Sequence, residues 1–124
     1  MTSIGRLKRR AEFLAAASAN RKWVAPGLVL QARICEPAVN ACQIRLGFTA
    51  SRKVGNAVAR NRARRRLKAA AAEVLRETTV AETPTDLVLI ARPATLDRDY
   101  AALKEDFRRG LKKLGVAVPP QATQ

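Results

Sequence analysis

The stretch GNAVARNRARRRLK, Gly55 to Lys68, carries six cationic side chains in fourteen positions and not one carboxylate. Asn56 after Gly55 suits a helix N-cap, since its side-chain oxygen can accept a backbone N–H that the first turn leaves unpaired. The helical run extends to about Glu77. At about 100° per residue, Ala59, Ala63, Leu67, Ala70, Ala71 and Val74 gather on one side. Asn61, Arg62, Arg65 and Lys68 project from the other, and Arg64 and Arg66 fall on the flanks. Arg60 shares the direction of the inner face. Because a buried unpaired guanidinium is very costly, Arg60 is expected to look into a cleft at the edge of a sheet. Arg52 and Lys53, just before the helix, are candidates to line the same cleft.

The rest of the chain sharpens the question of charge. Its 124 residues suit one domain, and 24 Lys+Arg against 10 Asp+Glu leave a formal net charge of +14. Self-repulsion of that size points to an anionic partner. The charge is also segregated: Pro37 to Ala72 holds nine bases and no acid. A merely solvated helix is expected to carry Glu at i,i+4 for support, yet none occurs before Glu73. An acidic-membrane helix needs large apolar residues opposite its bases, and this inner face is mostly alanine. Nucleic acid fits best. Seventeen arginines against seven lysines favour bidentate phosphate contacts and stacking.

The remaining segments place this helix in a small mixed fold. Arg6 to Ser18 reads as a first helix, with Leu7, Ala11, Leu14, Ala15 and Ser18 on one side and Arg6, Arg9, Arg10 and Phe13 on the other. Leu28 to Cys35 and Gln43 to Ala50 alternate as strands, and are expected to form an antiparallel pair with one apolar face. Asp86 to Arg92 contains an unbroken apolar run, as a strand covered on both faces requires. Asp97 to about Leu114 reads as a last helix, with Tyr100, Leu103, Phe107, Leu111 and Leu114 as its stripe and Gly115 as its stop. The class is α+β, an α/β sandwich. Residues 1–115 form one domain, and residues 116–124 are expected to be a flexible tail. No recognition unit of the helix-turn-helix type precedes the basic helix, so RNA is favoured and DNA is not expected. Phe13 is placed either to stack on a base or to fill the core; Trp23 is expected to pack.

Catalysis by the chain itself finds no support. There is no histidine, only Cys35 and Cys42 as thiols, and the acids are scattered; the usual zinc site is excluded. The two cysteines are expected to be reduced bystanders. Asp97 and Asp99 suit a helix start, where carboxylates favour the macrodipole. No signal-peptide core or membrane span is evident, so a cytoplasmic location is expected, with no membrane partner.

The run Ser51-Arg52-Lys53-Val54-Gly55-Asn56-Ala57-Val58-Ala59-Arg60-Asn61-Arg62-Ala63-Arg64-Arg65-Arg66-Leu67-Lys68 resembles the signature of the bacterial ribonuclease P protein subunit. Arg6-Leu7-Lys8 and Phe13 match the family's first helix, and Leu46-Gly47-Phe48 its strand before the motif. The resemblance implies an αβββαβα fold with a central sheet and a left-handed crossover, against the usual right-handed rule. It implies a third strand before the motif, from the Lys22 to Pro26 region. It also implies a function: joining a catalytic RNA and helping remove the 5′ leader of precursor tRNA. By this likeness Arg62, Arg64, Arg65, Arg66, Lys68, Arg6 and Lys8 meet the catalytic RNA. Phe13, Arg52, Lys53, Asn56, Arg60 and Asn61 belong to the leader cleft. The catalytic centre, with its Mg²⁺, is expected mainly in the RNA, with no catalytic or metal-binding residue in the chain. Ala17 stands where many relatives carry a second aromatic, four residues after Phe13. The alternative is a noncatalytic basic RNA-binding protein such as a small ribosomal component.

Overall fold

Leu87, Val88 and Leu89 are all buried, and a strand apolar on both faces must lie inside a sheet that is covered on both sides. The computed structural model, which describes residues 4–19, 21–34, 44–80 and 84–117, has this arrangement. Five strands, β1 (Ile4–Arg6), β2 (Lys22–Val24), β3 (Leu28–Ile34), β4 (Ile44–Ala50) and β5 (Thr85–Ala91), form one sheet in the order β1-β4-β5-β3-β2. β5 is central, parallel to β4 and antiparallel to β3. The helices are α1 (Arg10–Ser18), α2 (Ala57–Glu77) and α3 (Tyr100–Lys113), with a 3-10 turn at Pro93–Leu96.

Alternation along the strands splits the core in two. Leu28, Leu30, Ile44, Leu46, Leu87 and Leu89 face α2 and α3, which contribute Ala63, Leu67, Val74, Leu103, Phe107 and Leu111. Val88 faces the other way, with Ile90 beside it, and meets Leu7, Phe13 and Ala16. α1 therefore covers one face of the sheet, and α2 with α3 covers the opposite face.

The basic helix follows its sequence pattern closely. Asn56 Oδ1 accepts the N–H of Ala59 at 2.9 Å, as an N-cap should. Gly55 before it sits at φ +146°, a conformation open to glycine, and a Cβ there would lie 2.8 Å from that of Ala59. Ala63, Leu67, Ala70, Ala71 and Val74 are buried as expected, and Leu75 joins them. The expected strand in the Lys22 region is β2, and Trp23 packs as expected, its ring against Gly110 of α3.

Four expectations are corrected. The strands on either side of the 35–43 link are not paired, because β5 separates β3 from β4. The most apolar strand takes the place where burial is greatest, and that preference outweighs nearness in sequence. The first helix starts at Arg10, not Arg6. Glu12 Oε1 accepts the N–H groups of both Lys8 and Arg9 at 3.0 Å, which fixes the helix start there. Arg6 belongs to β1, and the N–H of Leu7 extends the pairing to Leu46 O at 2.8 Å. With Leu7 in extended chain, the stripe of α1 turns to Phe13 and Ala16 and leaves Leu14 55% exposed. The last helix starts at Tyr100, with Asp99 as its N-cap; Asp97 ends the 3-10 turn instead. At the C-terminal boundary, Val116 is buried and Ala117 bridges Val80, so the packed chain continues past residue 115. The cysteines lie outside the described residues.

Phe13 rests where Gly47 has no side chain. A Cβ at Gly47 would come within 2.5 Å of Phe13 Cε1 and 3.0 Å of Leu7 Cδ1. Gly47→Ala is therefore expected to destabilise the protein by about 1–3 kcal/mol through overpacking. Combined with Phe13→Ala it should cost less than the sum of the two single changes, measured as a double-mutant cycle in urea. Additive losses would mean that the two residues do not press on each other.

Candidate nucleic-acid interface

α2 is amphipathic in charge as well as in hydrophobicity. Asn61, Arg62, Arg65 and Lys68 are exposed on its outer side, with Arg64 half-buried beside them. Every ion pair among the described residues lies elsewhere, so no carboxylate neutralises this row. The acids of α2 sit in its second half and face α3. Glu73 accepts from Lys104 Nζ and from the Tyr100 hydroxyl, while Glu77 pairs with Arg108. The Tyr100 hydroxyl holds Glu73 below the usual carboxylate range, and burial followed by Glu73 pushes Tyr100 up. Acids are thus locked against the body, and the N-terminal half of α2 is left positive.

Two of the sequence-predicted arginines turn inward. Arg66 sends Nη1 to the carbonyls of Thr95 and Leu96 at 2.6 and 3.0 Å, and Nη2 to that of Arg98 at 2.6 Å. Its guanidinium thus staples α2 to the 3-10 turn and the chain after it. Arg60 donates from Nη1 to the Gly55 carbonyl at 3.1 Å, across the start of its own helix. Its side chain is half-buried.

The expected leader set is spread over three places. Phe13 lies over Gly47, on the sheet face opposite α2. Arg52, Lys53 and Asn56 are exposed in the turn from β4 into α2, and Arg60 is close behind. Asn61 belongs to the outer row instead, and its Oδ1 accepts from Arg64 Nη2 at 2.5 Å. Before and at the start of α1, Arg6, Lys8, Arg9 and Arg10 are all exposed.

One network was not singled out from sequence. Asp86, fully buried on β5, is cross-strand partner to both Arg45 on β4 and Arg33 on β3. Arg45 grips it with Nε and Nη2, each at 2.8 Å, and reaches Glu12 Oε2 with Nη1 at 2.7 Å. Arg33 Nη1 lies 3.7 Å from Asp86. Asp86 is the foremost cause that raises Arg45 above its ordinary pKa. Glu12 is lowered first by the N–H groups of Arg9 and Lys8, then by Arg45, against burial. The available signal was the alternation itself, which puts Arg33 and Arg45 on one face. This bridge ties the start of α1, and with it Phe13, to the sheet.

Metal binding has little to work with. Among the described residues no three Asp, Glu, His or Cys side chains form a group able to hold an ion. The buried carboxylates Asp86 and Asp106 are each committed to arginine, at 2.8 Å from Arg45 and Arg98 respectively. No helix among the described residues is long and apolar enough to cross a membrane.

An acid-free helix flank on a sheet covered from both sides makes this a small α+β protein with the electrostatic footprint of a polyanion binder. A family profile described as Ribonuclease P matches residues 1–115, and the chain belongs to that family. The Ribonuclease P protein component of Paramagnetospirillum magneticum is 45% identical over 122 residues, covering 98% of this chain and 90% of the relative. That of Gluconacetobacter diazotrophicus is 53% identical over 111 residues, covering 90% and 91%. Among solved structures, the Staphylococcus aureus RNase P protein superposes with TM-score 0.68 at 23% identity, over 90% of this chain and 95% of that one. The Thermotoga maritima protein gives 0.60 at 23%, over 84% and 92%. These two establish the shared fold.

Arg66→Ala is expected to cost about 2 kcal/mol of stability, since charged hydrogen bonds to three carbonyls are lost. Exposed Arg62→Ala should leave thermal stability within about 0.5 kcal/mol of wild type; equal losses in the two variants would remove the inward assignment. Glu12→Gln gives a pH test. A carboxyl lowered from 4.5 stabilises the fold fully above that pH and loses the contribution as pH falls through the lower folded value. The gap in melting temperature between wild type and Glu12→Gln should therefore be open at neutral pH and close in acid. A gap that widens on acidification would contradict the bridge.

Proposed function

We propose that this chain is the protein subunit of ribonuclease P that binds the catalytic RNA through the outer row of α2 and assists removal of the 5′ leader from precursor tRNA. One observation carries the reading: Arg62, Arg65 and Lys68 are exposed, unneutralised and held in line by a helix whose other side is buried. A compact fold tolerates such a row when phosphates complete it, releasing counterions as they do. Membership of the family supplies the RNA partner and the tRNA substrate class.

The chemistry is assigned to the RNA. Metal-activated water is the means by which such a centre cleaves a phosphodiester, and seven of the eight described carboxylates, all but Asp97, are bonded to side chains or backbone of this chain. The protein's part is to bind and orient. Arg6, Lys8, Arg62, Arg64, Arg65 and Lys68 supply positive potential for the catalytic RNA. Arg52, Lys53 and Asn56, in the turn between β4 and α2, supply it for the single-stranded leader. Phe13 on the far face presents a half-buried ring as a stacking surface. Arg66 enters this scheme as a support of α2, because both its Nη groups already have carbonyl partners, and Arg60 does so through its one bond to the Gly55 carbonyl.

The test is reconstitution of the full chain with its cognate catalytic RNA and precursor tRNA at low Mg²⁺. Protein is expected to raise the cleavage rate, and an unchanged rate refutes the reading. Arg62→Ala with Arg65→Ala should weaken assembly by on the order of tenfold. Around six phosphate contacts predict an affinity loss on the order of a thousandfold between about 50 and 200 mM salt.

A further inference from the structure

Val58 is 73% exposed, on a helix that buries its other large apolar residues, Leu67, Val74 and Leu75. It has no part in the N-cap, where Asn56 serves the N–H groups of Ala59 and Arg60. Val58, Asn61, Arg65 and Lys68 stand at i, i+3, i+7 and i+10, on one side of α2. Together with Arg64 they line a shallow concavity of about 390 Å³. Its lining holds three cations, one amide and one aliphatic group, and no acid.

The amide has a defined direction. Arg64 Nη2 donates to Asn61 Oδ1, so the group that Asn61 has left to offer is its NH2. A phosphate alone calls for cations and has no use for a bare isopropyl group. A nucleotide has use for all three kinds of group. Its phosphates suit Arg65 and Lys68, the acceptors on its base edge suit the Asn61 NH2, and its ribose or base face suits the methyls of Val58. Duplex RNA offers less of this combination, because its base faces are stacked and its edges are open only along the shallow minor groove, which leaves the Val58 methyls no base face to cover.

We infer that the concavity formed by Val58, Asn61, Arg64, Arg65 and Lys68 seats one unpaired nucleotide of the catalytic RNA. This rests on the assembly reading above and adds a contact that is not electrostatic. It also moves Asn61 from the leader to the catalytic RNA.

Salt separates the two kinds of contact. Binding of the full chain to the cognate catalytic RNA is measured from about 50 to 200 mM salt, with thermal melting as a check on folding. Val58→Ser should raise Kd about fivefold at every salt concentration with the slope of log K unchanged, as loss of apolar burial requires. Asn61→Ala should behave alike. Arg65→Ala should instead lower the slope by about 0.7–0.9. Chemical probing should show one unpaired nucleotide protected by wild type and reactive with Val58→Ser. Unchanged Kd in both Val58→Ser and Asn61→Ala overturns the seat. So does weakening confined to leader-bearing precursor tRNA, which would make the occupant the leader. Should wild type show no preference for the catalytic RNA, the assembly reading itself fails.

Discussion

Complete burial of β5 is the constraint from which the rest of the architecture follows. A strand apolar on both sides needs a layer on each face and a hydrogen-bonded neighbour along each edge. β3 and β4 supply the edges; α2 with α3 supplies one layer and α1 the other. Asp86 is the charged exception on that strand, and an isolated buried carboxylate is prohibitive. The register of both neighbouring strands brings an arginine opposite it. Arg45 then extends the network to Glu12, so the charge that threatens the sheet becomes the means of docking α1.

Arginine serves two opposed purposes in this molecule. Inside, its planar fork satisfies groups that a point charge would satisfy less well: the paired oxygens of Asp86 and of Asp106, and the carbonyls gathered by Arg66. Outside, the same group stands unneutralised along α2. A count of bases does not separate these uses. Exposure and hydrogen-bond partners do, and they divide one continuous motif into supports (Arg60, Arg66) and an outward row (Arg62, Arg64, Arg65 and Lys68).

Local periodicity carries the legible part of this fold. α2 is readable from its cap to its last turn because 21 residues of one pattern average out single exceptions. β5 is readable as central because nothing interrupts its apolar run. Three kinds of information are not local. The placing of β5 between β3 and β4 depends on a segment more than thirty residues downstream of β4. The three residues of β1 are too few to show a period, and their pairing belongs to β4. The inner side of α1 turns on whether Leu7 is helical, which the carboxylate of Glu12 decides. At the candidate site the outward residues follow from helical angle. The inward turn of Arg66 does not, because its acceptors are main-chain carbonyls of another segment that no side-chain pattern announces.

Those acceptors have a consequence for how the protein tolerates change. A carbonyl is present whatever residue bears it, so the clamp on α2 places no demand on the side chains at positions 95, 96 and 98. Those side chains are held by other contacts: Thr95 Oγ1 donates to the Gly27 carbonyl at 2.6 Å and Arg98 pairs with buried Asp106, while position 66 admits no short replacement. The clamp on α2 is thereby indifferent to side-chain identity in the very segment that anchors it.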